Sequence, residues 1–235
     1  MPEGALIFEG RGKRVFQTEE PGRRRMEFTD SATTYDGCER KSFPAKGQLR
    51  NHISCALMGT LKENGVPTYF IRPQGREGMF VGSLGMFPME VVCHNAAGGS
   101  FGKRLGLADG EVLPFTVVQF HLDRRGPVGQ PLRNERLKET KTISEGDVKV
   151  MQARALQANR ALKDLLFGKG FVLAELRLEF GRDAAGRVRI ADDISPDTCR
   201  LWDRADHEKI DRDLFRTDVG SDEASYKKIA RALTD

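Results

Sequence analysis

Residues 174–180 read Ala-Glu-Leu-Arg-Leu-Glu-Phe, so Glu175, Arg177 and Glu179 alternate with Ala174, Leu176, Leu178 and Phe180. Period-two alternation sends the charged side chains to one face of a strand and the apolar ones to the other. One face therefore needs a core, and the other needs solvent, counter-charge or a ligand. Asp183-Ala184-Ala185-Gly186 reads as a turn and Val188 to Asp192 as the return strand. With the turn centred on Ala185-Gly186, Glu179 and Asp192 stand directly opposite one another. Facing carboxylates repel, and a hard divalent cation with oxygen ligands supplies the counter-charge. The alternative is a solvated face of mixed charge.

With 235 residues the chain can bury a sizeable core, either as one large domain or as two lobes sharing a cleft. Its 39% hydrophobic and 31% charged residues fit a soluble globular protein, and a net charge of +4 singles out no polyanionic partner. Nucleic-acid binding calls for a denser basic patch interleaved with aromatics; only Arg23-Arg24-Arg25 resembles one, and after Glu19-Glu20-Pro21-Gly22 it reads as a solvated hairpin. Cys38, Cys55, Cys93 and Cys199 are widely spaced and form no C-x-x-C pair, which argues against a disulfide scaffold or structural zinc and for a reducing compartment. No window has the apolar length of a membrane span, and MPEGALIFEG lacks the regions of a signal peptide. The chain reads as soluble and cytoplasmic, with no nucleic-acid or membrane partner.

Ala5–Phe8, Val15-Phe16 and Arg25–Phe28 read as strands, the first two joined by Glu9-Gly10-Arg11-Gly12-Lys13-Arg14. Strand, glycine-rich turn, strand describes a flap whose backbone amides can approach phosphates closely, with a lysine alongside. It is not a P-loop, because G-x-x-x-x-G-K-[ST] and a following helix are both missing; an ordinary hairpin remains the alternative. Leu49, Ile53, Leu57 and Leu61 mark one face of a helix over Lys46–Asn64, stopped by Gly65-Val66-Pro67. Tyr69–Ile71 and Met79–Val81 read as paired strands, and Met86–Glu90 as an apolar connector between two lobes or plain core. Small residues, a hydroxyl and two cations gather in Asn95–Arg104, a composition suited to a phosphate at a helix start or to a structural loop. Leu113–Leu122 contains a strand, and Arg124–Arg133 is a surface loop rich in Gly and Pro. Ser144 caps a helix running to Phe167, and a last helix covers Ser221–Leu233. Without repeats or low-complexity tracts, the order of elements fits one continuous α+β domain with two lobes.

Taken together, EGRGKRVF, KGQLRNHIS, ENGVPTYFI, MEVVCHNAAGGSFGKRLG, LRLEFGRD, ADDISPDTCRLWD and IDRDLFRTDVG resemble the SAICAR synthetase family, in family order and over almost the whole chain. The resemblance implies a two-lobed α+β fold similar to ATP-grasp and kinase-like architectures. The implied lobes are residues 1–86, carrying the flap, and 87–235, carrying metal and substrate residues. It implies ATP and Mg²⁺, and an ATP-driven amide bond between a 5-aminoimidazole-4-carboxylate ribonucleotide and L-aspartate through an acyl phosphate, as in purine biosynthesis. By position, the flap residues Gly10, Arg11, Gly12 and Lys13 would take the ATP phosphates, with Arg11 where the family usually has lysine. Met86 and its neighbours through Glu90 would take the adenine, and Glu179 and Asp192 the metal. Lys13, Glu179 and Asp192 carry the catalysis in this scheme. Ser100 and Arg200 would bind the 5′-phosphate of the azole nucleotide, and His94, Arg177 and Asp197 complete its site. A homo-oligomer is compatible with the family.

Several positions depart from the family's usual pattern. V-V-R-N becomes Val92-Cys93-His94-Asn95, exchanging a permanent guanidinium for an imidazole. D-F-K becomes Glu175-Leu176-Arg177, D-P-M becomes Gln130-Pro131-Leu132, and the acidic pair before I-S-P-D is Asp192-Asp193. Neutral drift with local compensation is one reading. The other is a paralogue that applies the same chemistry to a related azole carboxylate nucleotide, such as a pyrazole, in nucleoside-antibiotic biosynthesis. A non-catalytic nucleotide-binding scaffold is the reading from a different class, and retention of Lys13, Glu179 and Asp192 argues against it.

Overall fold

The computed structural model describes residues 4–10, 12–33, 40–122, 143–206, 209–210 and 219–234. Arg11, the Gln130-Pro131-Leu132 segment, Cys38 and the 211–215 stretch lie outside the described residues.

A five-stranded antiparallel sheet comes first, in the order β1-β2-β3-β7-β6. Its strands are β1 (Leu6–Glu9), β2 (Lys13–Gln17), β3 (Arg23–Phe28), β6 (Phe70–Gln74) and β7 (Gly78–Gly82), with a small β4 (Ser31–Thr33) and β5 (Arg40–Ser42) pair beside it. The second sheet runs β11-β10-β8-β9, built from β8 (Gly85–Ala96), β9 (Val112–Leu122), β10 (Phe171–Arg182) and β11 (Val188–Ala191). The fifth strand there, β12 (Cys199–Asp203), also pairs with β10. Strand β10 is thus central, with β8 along one edge and β11 and β12 sharing the other. The chain crosses between sheets over Gly82–Gly85. A second tie returns through residues 67–69, where Ile190 N donates to Pro67 O, Tyr69 N to Ile190 O and Gly82 N to Tyr69 O.

Helix α1 (Lys46–Glu63) closes on the apolar stripe Ile53, Leu57 and Leu61, all buried. Ala45, at its N-cap, has a left-handed backbone and no side-chain oxygen to offer. Asp30 supplies the cap from outside, accepting from Ala45 N at 3.3 Å and Gly47 N at 2.9 Å, which satisfies orphan donors of the first turn. Helix α2 (Gly99–Leu105) is short. Helix α3 (Glu145–Gly168) starts at the expected Ser144 in a reciprocal capping box with Asp147, and lays Met151, Ala155, Ala158, Leu162 and Leu166 on the second sheet. Helix α4 (Val219–Thr234) packs on α1. One core runs through both sheets, from Met26 and Phe28 to Leu176 and Phe180.

Arg23-Arg24-Arg25 does lie on a hairpin, β2 to β3, but β3 is an interior strand of the first sheet and the three side chains are half-buried. Arg25 lies opposite Phe16 and Phe80, and Phe80 lies opposite Arg72, giving an aromatic–arginine row across four strands. The Arg25 guanidinium stacks 4.5 Å from the Phe16 ring. Of the two readings of Met86–Glu90, the core one fits Phe87 and Met89, both buried at the start of the twelve-residue β8. The register of the β10–β11 hairpin is one residue off the expected one: Glu179 pairs with Ala191, and Arg182 with Val188. Asp183 sets this register. Its carboxylate accepts from Ala185 N, Arg187 N and the Arg187 and Arg189 side chains, and so holds a five-residue loop, 183–187.

Candidate active site

The flap turn closes with Gly10 N donating to Lys13 O at 2.8 Å. Lys13 pairs with Phe28 across β2 and β3, which turns its side chain to the inner face of the sheet. There its ammonium ion-pairs with Asp192 and stands 3.5 Å from Asp193 Oδ1. Gly12 has no room for a side chain, since a Cβ there would lie 2.5 Å from Arg50 Nη1. The flap backbone therefore rests on the Arg50 guanidinium.

Beside its apolar stripe, α1 carries a buried polar one at i, i+4 and i+8: Lys46, Arg50 and Ser54. This stripe receives the acidic loop after β11. Arg50 donates from Nε and Nη2 to the two Asp193 oxygens, each at 2.9 Å, and Nη1 lies 2.9 Å from Asp197 Oδ2. Lys46 Nζ lies 3.6 Å from Asp197 Oδ1, and Ile194 N donates to Ser54 Oγ at 3.3 Å. Ser195 Oγ adds a bond to Asp193 at 2.8 Å. Burial alone would raise the Asp193 carboxyl, but the Arg50 and Lys13 charges overcome it and hold the group well below the carboxylate range. Asp193, with a side chain 0% exposed, is committed to this network. Asp192, at φ 62, is turned out of the strand path toward Lys13. Asp197, expected at the azole nucleotide, lies beside Lys46 and Arg50.

A second cluster occupies the charged face of β10. Glu175 is paired in register with His94 on β8 and Arg200 on β12. Its carboxylate lies 3.3 Å from His94 Nδ1, 2.8 Å from Arg177 Nε and 3.4 Å from Arg200 Nε. Burial opposes the Glu175 charge, yet His94, Arg177 and Arg200 together depress its pKa. His94 is 4% exposed, its ring stacked on Phe101 at 3.8 Å and its Nε2 3.1 Å from Gln119 Oε1. The Arg200 guanidinium lies against Gly98 and Gly99 where α2 begins, and a Cβ on Gly99 would stand 2.9 Å from its Nη1. Ser100, in the first turn of α2, is exposed beside it.

The facing carboxylates are not Glu179 and Asp192. Glu179 stands opposite Glu90 on β8, and Arg177 Nη1 lies 3.2 Å from Glu90 Oε2. Like charges directly opposite are destabilising unless screened, and Arg177 screens this pair. Glu90, expected near adenine, thus joins the β10 cluster, while Met86 stands 49% exposed at the start of β8. The structure brings together Lys13 with Asp192, and His94, Arg177 and Arg200 around Glu175. Lys46 and Arg50 are the members that sequence reasoning left out, while Glu175 and Asp193 were named there without a site role.

A lysine-bearing glycine flap over an acidic loop, next to an arginine cluster on the adjoining sheet, defines a nucleotide-dependent transfer enzyme of two-sheet α+β architecture. The comparisons agree. The family model described as SAICAR synthetase matches residues 6–233. The phosphoribosylaminoimidazole-succinocarboxamide synthase of Coprothermobacter proteolyticus is 38% identical over 229 residues, with 97% of each chain covered. That of Listeria monocytogenes is 38% identical over 231 residues, covering 97% of this chain and 96% of the relative. A solved SAICAR synthetase in complex with ADP superposes with a TM-score of 0.92 at 35% identity, covering 98% of this chain and 97% of the other. The Ehrlichia chaffeensis enzyme superposes equally well, with a TM-score of 0.92 at 30% identity and 98% of each chain covered. This chain belongs to the SAICAR synthetase family.

Proposed function

We propose that the protein is a cytoplasmic ATP-dependent ligase that joins the carboxylate of a 5-aminoimidazole-4-carboxylate ribonucleotide to the amine of L-aspartate. The observation that carries this reading is the layout of β10. Glu175 and Arg177 of the arginine cluster and Glu179 share one face of that strand, and Asp192 with Lys13 follows at its hairpin. Successive same-face residues lie about 7 Å apart, so a phosphoryl donor held at one end and an anionic acceptor at the other meet over a single strand.

The chemistry follows from what a carboxylate cannot do: expelling oxide is prohibitive, so the amine cannot attack it directly. One carboxylate oxygen attacks the γ-phosphorus, the γ–β bridge breaks, and ADP leaves. The amine then attacks the acyl-phosphate carbon, loses its proton, and expels phosphate that carries the former carboxylate oxygen. The protein positions the reactants and offsets phosphate charge. Lys13 and the flap amides hold the donor's phosphates. Arg200 and Ser100 hold the 5′-phosphate of the acceptor, and Arg177 orients its carboxylate. Glu179 and Asp192 offer hard oxygen donors, which suit Mg²⁺. Such an ion would be held by one or both of these carboxylates together with substrate phosphates. When bound, that ion neutralises charge on the transferring phosphate.

A second reading, in which the acceptor is a related azole carboxylate nucleotide, rests on the departures from the family pattern at His94, Glu175 and Arg177. ADP release with the imidazole carboxylate nucleotide plus aspartate tests the first reading. Turnover with a different azole alone selects the second, and ATP binding without turnover on any azole leaves a scaffold.

A further inference from the structure

Arg50 uses all three guanidinium nitrogens at once. Nε and Nη2 grip Asp193, Nη1 reaches Asp197, and the flap backbone at Gly12 lies on the same Nη1. The side chain is 9% exposed and stands 5.4 Å from the Phe28 ring. It therefore touches three parts of the molecule separated in sequence: the flap, the inner face of β3 and the acidic loop. Such a buried arrangement is a poor source of stability, because desolvating several charges offsets most of their attraction and apolar replacements often do as well. On α1, Ile53, Leu57 and Leu61 already make the apolar seal. The polar stripe has another use.

That use is legible in what each partner of Arg50 adjoins. Asp193 is the neighbour of Asp192, and a carboxylate held in a bidentate fork fixes its own backbone and the adjacent φ 62 turn. Gly12 is the neighbour of Lys13, whose ammonium meets that same Asp192. One planar cation thus sets the height of the flap on one side and the aim of the acidic loop on the other.

We infer that Arg50 is a positioning residue that couples the glycine flap to the acidic loop, so that Lys13 and Asp192 are presented together to a nucleotide polyphosphate. The inference rests on the reading that the nucleotide binds at Lys13. Lysine cannot replace Arg50, since a single ammonium does not reproduce a fork with a third contact. Gly12 must lack a side chain for a related reason: a methyl there pushes the guanidinium off its carboxylates.

The test uses MgADP as the nucleotide probe and the succinocarboxamide product nucleotide as a probe of the Arg200 cluster. Calorimetry and amide exchange over residues 12–17 are followed in the full-length wild type, Arg50→Lys, Arg50→Met and Gly12→Ala. Arg50→Lys and Gly12→Ala are expected to weaken MgADP about tenfold or more and to speed flap exchange, as loss of a charge-assisted bond does. Affinity for the product nucleotide stays within about twofold. Should Arg50→Met fail to fold, the other two variants still decide. Wild-type MgADP affinity and flap exchange in both Arg50→Lys and Gly12→Ala would overturn the coupling. Equal weakening of both probes would reduce Arg50 to a general structural role and overturn it as well. A wild-type protein that ignores MgADP would refute the nucleotide assignment itself, and flap exchange would still report on the coupling.

Discussion

His94 Nδ1 lies 3.3 Å from Glu175 Oε2, so two of the positions at which this chain leaves its family's usual pattern touch each other. The family's longer arginine and shorter aspartate are exchanged here for an imidazole and a longer acid, which meet across β8 and β10. Arg177, a third departure, accepts the consequence by bonding to the other Glu175 oxygen at 2.8 Å. Three of the departures, His94, Glu175 and Arg177, thus form one contact set, while Asp193 belongs to the Arg50 network.

That contact predicts strong non-additivity. His94→Arg alone drives a longer side chain toward Phe101, and Glu175→Asp alone withdraws the carboxylate from His94. Each is expected to lower kcat/KM for the azole nucleotide about tenfold, and the double substitution to recover most of the loss. Steady-state kinetics on the four proteins would contradict this if the two losses simply multiplied.

Gly99 has φ 54 and faces the Arg200 guanidinium, whereas Gly106 has φ 68 with nothing near its missing Cβ. Alanine at either position incurs about 1–2 kcal/mol of left-handed strain. Only Gly99→Ala should also displace Arg200, raising KM for the azole nucleotide at least about tenfold with ADP affinity unchanged. Gly106→Ala serves as the matched control, with KM near wild type.

Stability should fall in acid. Glu175, Asp193 and Asp197 all have folded pKa values below their ordinary ones, because neighbouring cations outweigh burial. The unfolded chain then binds protons first, so the stabilisation is full above the unfolded values near about 4 and is lost as pH drops through the folded ones. Each group contributes a slope of about 1.4 kcal/mol per pH unit in that window. Urea melts between pH 3 and pH 7 check the sign; rising stability toward pH 3 would contradict it.

The outer face of the first sheet makes a structural prediction. Arg25 stacks on Phe16 and ion-pairs with Glu27 on a face away from the candidate site. Arg25→Ala is expected to lower stability by about 1 kcal/mol and to leave turnover unchanged, measured by denaturant melts alongside the activity assay.

Much of this was legible in the sequence because apolar periodicity survives folding. The stripe Leu49, Ile53, Leu57 and Leu61 located α1, and Ser144 located the start of α3, each within a residue or two. The polar stripe Lys46, Arg50 and Ser54 on α1 was missed, since charged residues at helical spacing read as a solvated face until an acidic loop is known to cover them. The one-residue shift at Glu179 had a local cause, the Asp183 side chain, which no alternation pattern carries. Glu90 could be found opposite Glu179 only once β8 and β10 were known to be neighbours, and those strands are far apart in sequence.

The central claim is that the acceptor carboxylate passes through an acyl phosphate. The azole nucleotide carrying ¹⁸O in its carboxylate, turned over with ATP and L-aspartate, tests it most directly. The mechanism predicts one ¹⁸O per turnover in the released inorganic phosphate. Phosphate without label, alongside amide formation, would contradict it.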